Sequence, residues 1–69
     1  MYIIARHHSP VEVDYLAVDI ANLDFEWVRN PKHAFPIYLD YIARDCLATC
    51  IRKAPSYSYT IVESSEDLL

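Results

Sequence analysis

Apolar residues recur through the first half of the chain at intervals of three and four. On a helical projection Val13, Leu16, Ala17, Ile20, Ala21, Leu23, Trp27 and Val28 share one broad face, with Glu12, Asp19, Asn22, Glu26 and Arg29 opposite. The stretch opens on Ser9-Pro10-Val11-Glu12. Ser9 suits an N-cap, Pro10 the first helical position, and Glu12 can reach back to the Ser9 amide as in a capping box. Asn30-Pro31 is a stop signal. The pattern predicts a first helix over about 10–29. A second apolar stripe, Leu39, Ile42, Ala43, Cys46, Leu47, Cys50 and Ala54, predicts a helix over about 36–54, opened by Pro36 and ended by Pro55.

The ends read differently. Tyr2-Ile3-Ile4-Ala5 is β-prone, and residues 56–62 alternate and are rich in aromatic and β-branched side chains, as strands are. Residues 63–69 read as a frayed acidic tail. The expected fold is mainly α: one small domain over 1–69, built as a helical hairpin with short extended or β segments at both ends.

Composition sharpens this picture. A 69-residue chain hides roughly 60% of the surface its unfolded form exposes. Yet 54% of its residues are apolar, with six tyrosines, two phenylalanines and one tryptophan. Surplus apolar surface marks an interface, and a symmetric homodimer is the simplest way to close it. The chain has no glycine, which removes phosphate-cradling loops, nucleophile elbows and most tight hairpins from consideration. No stretch approaches a membrane span or a signal peptide, so a cytoplasmic protein is expected.

Candidate chemistry is sparse. Cys46 and Cys50 lie four apart on the apolar stripe, where free cysteine behaves as a small hydrophobe. A metal site would need two more ligands. His7 and His8 are adjacent on an extended arm and point to opposite sides. No catalytic constellation, metal or cofactor is expected. The net charge of −4 disfavours nucleic acid, although Arg29, Lys32 and Arg44 near the inter-helix turn leave a helix-turn-helix-like DNA-binding regulator as the alternative.

Protein binding remains, with Tyr15, Phe25, Trp27, Tyr38, Tyr41, Arg44 and Arg52 as the expected contact residues, because aromatic and arginine side chains carry interface energy. Asp24 falls within the apolar arc and is the candidate buried polar group. In length and overall character the whole chain resembles small phage-encoded host-takeover proteins, such as the anti-quorum-sensing protein of temperate Pseudomonas phages. That resemblance implies a helical dimer that inhibits a host protein by occlusion, for example a transcription regulator or a motor ATPase. It transfers no residue role.

Overall fold

The region expected to form the first helix forms two strands. In a computed structural model that describes residues 1–63, the elements run β1 (Tyr2–His7), β2 (Val13–Asp19), β3 (Asp24–Val28), a 3-10 turn (Pro31–His33), α1 (Asp40–Lys53) and β4 (Ser58–Glu63). The strands make one antiparallel sheet in the order β3-β2-β1-β4. The mainly-α helical hairpin is therefore corrected to a four-stranded sheet with a single helix. The expected acidic tail lies outside the described residues, save Glu63, which ends β4.

The misleading signals have local explanations. Ser9 does form the bonds of a cap: its Oγ accepts from the Glu12 amide at 3.1 Å and the Val11 amide at 3.3 Å. The same geometry closes a turn here, since the His8 amide donates to the Glu12 carbonyl at 2.9 Å and joins β1 to β2. After the turn, Val13-Asp14-Tyr15-Leu16-Ala17-Val18 offers an apolar residue at nearly every position. Such a run fits the helical period, yet it also serves a strand covered on both faces. β-branched and aromatic side chains favour the strand.

Glycine's absence leaves a mark at the β2–β3 turn. Leu23 takes a left-handed backbone, φ 53°, with its side chain exposed. Left-handed geometry disfavours a residue with a Cβ. Side-chain bonds hold the turn: Asp19 Oδ1 accepts from the Ala21 amide and Oδ2 from the Asn22 side chain.

One core holds the layers together. Ile4 and Leu16 from the sheet, Ile37, and Ala43 and Cys50 from α1 form a buried cluster, edged by Tyr2, Trp27, Cys46, Leu47, Tyr59 and Ile61. Strand alternation places Ile3, Ala5 and Ala17, also buried, on the opposite face. β1 and β2 diverge beyond Ala5↔Tyr15. Residues 35–37 fill the gap: the Phe35 amide donates to the Leu16 carbonyl at 2.8 Å, and Tyr2 and Ile37 exchange bonds of 2.7 and 2.9 Å. Pro36 therefore lies in an extended wedge, and the helix expected over 36–54 begins at Asp40. Among the described residues no helix is long and apolar enough to cross a membrane.

Leu16→Ala removes a fully buried side chain and should lower unfolding free energy by about 3 kcal/mol, read as a fall in denaturant midpoint. Leu23→Gly loses no packing and relieves the left-handed leucine, so it should raise stability by about 1 kcal/mol. A drop in stability for that variant would contradict the strain at this turn.

Candidate functional site

β1 carries an arginine where the alternation calls for a core residue. Tyr2, Ile4 and Arg6 project toward α1, and Arg6 stands opposite Asp14 of β2. The guanidinium meets the carboxylate with two parallel bonds, Nε to Oδ1 at 2.9 Å and Nη2 to Oδ2 at 2.7 Å. Such a fork is stronger than a single bond. Both side chains are largely covered, at 17% and 15% exposure. Arg6 Cζ also lies 4.2 Å from the centre of the Trp27 ring and 4.8 Å from that of Tyr57. A guanidinium over aromatic faces gains cation–π attraction while its stem remains among apolar groups.

The surroundings are fixed by further contacts. His8 Nε2 is 2.9 Å from Asp14 Oδ2, and its ring meets Tyr57 edge-on at 4.9 Å. Tyr59 donates its hydroxyl to the Ala54 carbonyl at 2.7 Å, tying β4 to the end of α1. Beside this cluster runs a groove of about 220 Å³ lined by Arg6, Asp24, Phe25, Trp27, Cys50, Lys53, Ala54 and Tyr59. Lys53 Nζ sits 5.1 Å from the centre of the Phe25 ring.

The titrating groups follow from this geometry. Partial burial pushes the Asp14 carboxyl upward, but hydrogen bonds from Arg6 and His8 outweigh it and hold the group below its ordinary value. The bond to Asp14 raises Arg6 against the opposing effect of burial. Burial raises both thiols, aided by Asp45 at Cys46 and by Cys46 at Cys50. Neither cysteine is set up as a thiolate nucleophile. Burial likewise raises the Tyr59 phenol. Among the described residues no group of three or more His, Cys, Asp or Glu side chains is placed to hold a metal.

The residues expected as contacts are scattered by this fold. Trp27 stacks on Arg6 and Phe25 lines the groove, whereas Tyr15, by alternation, sits on the opposite face of the sheet. Asp24 is exposed at the start of β3, its Oδ1 accepting from the Phe25 amide at 2.8 Å, because the helical arc that would have enclosed it is not formed. Arg44 is exposed and 3.6 Å from Asp40, and Arg52 donates to Thr49. Tyr38 and Tyr41 stand exposed at the start of α1 beside Leu39 and Ile42. Arg6, His8, Asp14, Tyr57 and Tyr59 lay outside the expected set. No alternation marks the first and third, since Tyr2 through Ala5 and Tyr15 through Val18 are continuous apolar runs. No known protein family, curated protein or solved structure matches the chain.

The sign of the pH dependence follows from the depressed Asp14. A carboxyl held below its unfolded value of about 4 contributes stability above that value. The contribution disappears as pH falls through the folded value. Asp14→Asn should therefore lose about 2 kcal/mol at neutral pH. It should also show a flatter stability profile than the parent between about pH 5 and pH 2. Parallel profiles for the two proteins would remove Asp14 as the titrating group.

Proposed function

We propose that this protein is a non-enzymatic binding module that inhibits a partner protein by covering part of its surface. The observation that carries this reading is the ridge at the start of α1. Tyr38, Leu39, Tyr41 and Ile42 are 63%, 49%, 60% and 39% exposed, although they adjoin one another in sequence. Adjacent exposed aromatic and aliphatic side chains gain most by being desolvated against another protein. Tyr41 and Ile42 stand on the first turn of a helix anchored through Ala43 and Cys50, with Tyr38 and Leu39 immediately before it.

Occlusion rather than catalysis fits the chemistry of the groove. Its arginine is engaged by Asp14, and its thiol is protonated and buried. A host regulator or motor ATPase as the kind of target rests on the resemblance to phage host-takeover proteins alone, and the helical fold that the resemblance implied is not formed. The alternative of DNA reading by a helix pair loses its basis, since α1 is the only α-helix among the described residues.

The test is capture from a bacterial lysate by the immobilised parent and by a Tyr38→Ser/Tyr41→Ser variant. Both tyrosines are exposed, so the variant should keep its circular dichroism spectrum. The parent should retain a protein that the variant loses. Retention of the same proteins by both would discard the ridge.

A further inference from the structure

β4 is an edge strand with a single charged residue, Glu63 at its end. It pairs with β1 over its whole length, from Tyr2↔Glu63 to His7↔Ser58. Ser58-Tyr59-Thr60-Ile61-Val62 contains no lysine, proline or acidic residue. Charges, prolines and bulges are the usual blocks to edge pairing.

Backbone direction can be read from the neighbouring contacts. Tyr2 exchanges both bonds with Ile37, on the side of β1 that faces β2. By alternation Ile3, Ala5 and His7 direct their amides and carbonyls toward β4, where Val62, Thr60 and Ser58 answer them. Tyr59, Ile61 and Glu63 therefore direct theirs outward. Among the described residues no strand pairs with that side.

We propose that β4 pairs with β4 of a second copy, antiparallel about a two-fold axis through Ile61 that sets Thr60 opposite Val62 of the second copy, so that two sheets become one and both helices lie on the same face. Charge favours this orientation. At one end of the edge Asp40 and Glu63 line a groove of about 280 Å³ with Arg44 and Ile61. At the other end Arg52 stands in the last turn of α1, which residues 54–57 join to the start of β4. An antiparallel two-fold sets the acidic end of each copy beside the basic end of the other.

Apolar surface lies along the same seam. Val62 is 38% exposed beside the axis, and Ile51, 46% exposed, shares a helix face with Asp40, Arg44 and Leu47. The opposite edge disfavours the same arrangement: a two-fold centred on β3 sets Glu26 against Glu26 of the second copy. This pairing is separate from the ridge on α1 and stands or falls without it.

The experiment measures mass by size-exclusion with light scattering at micromolar concentration, for the full chain and two variants. Thr60→Lys/Val62→Lys puts like charges together across the axis, and Thr60→Glu/Val62→Glu does the same with the opposite sign. Both positions are exposed, and circular dichroism checks that the fold is kept. The parent should weigh twice 8.0 kDa. Each variant alone should dissociate, with affinity reduced on the order of a hundredfold. An equimolar mixture of the two should restore the dimer. A monomeric parent, an open-ended series of larger species, a lysine variant that remains dimeric, or a mixture that stays monomeric would each overturn the pairing. None of these outcomes bears on capture through Tyr38 and Tyr41.

Discussion

A lone helix cannot cover a four-stranded sheet. A helix is about 10 Å across and strands lie about 4.8 Å apart, so α1 shields roughly two of them. It packs against β1 and β4. The β2–β3 half of that face has to be closed by the sheet's own side chains, and the closure is organised around Arg6. Its guanidinium joins Asp14 of β2, Trp27 of β3 and Tyr57 ahead of β4. One side chain of β1 thereby links the other strands beside the last turn of α1.

That solution has consequences for what surrounds it. A covered arginine requires a covered carboxylate, since an unpaired partner would be costly to bury. It also requires flat rings, which cover the guanidinium without competing for its hydrogen bonds. The arrangement leaves a shallow groove rather than a deep cavity, with Phe25 and Lys53 at its mouth. The interior chemistry is thus spent on holding the sheet closed. What remains for other molecules is surface: the ridge at the start of α1 and the outer edge of β4.

Legibility in the sequence divides along the same line. The second helix and the extended segments at both ends were readable, because Leu39 through Ala54 keeps a strict stripe and residues 56–62 alternate. The first helix was misread because Val13 through Val18 is apolar at nearly every position, and Ser9 makes the same side-chain bonds in a turn as in a cap. The absence of glycine argued against tight hairpins, yet the β2–β3 hairpin forms with a wider turn and a left-handed Leu23. Arg6 and Asp14 escaped notice because their pairing depends on strand register, and register appears only once β1 and β2 are recognised as neighbours. Tyr38 and Tyr41 were expected at the surface beside the second helix's stripe, and their exposure shows what α1 leaves uncovered.

The most direct test of this account is the NMR signature of the Arg6 side chain. Arg6 and Trp27 are far apart in sequence and meet only if β1, β2 and β3 lie side by side as described. The account predicts a resolved, exchange-protected Arg6 Nε–H signal, with nuclear Overhauser contacts to the rings of both Trp27 and Tyr57. An Arg6 Nε–H that exchanges as rapidly as a free arginine's, with no contact to either ring, would contradict it.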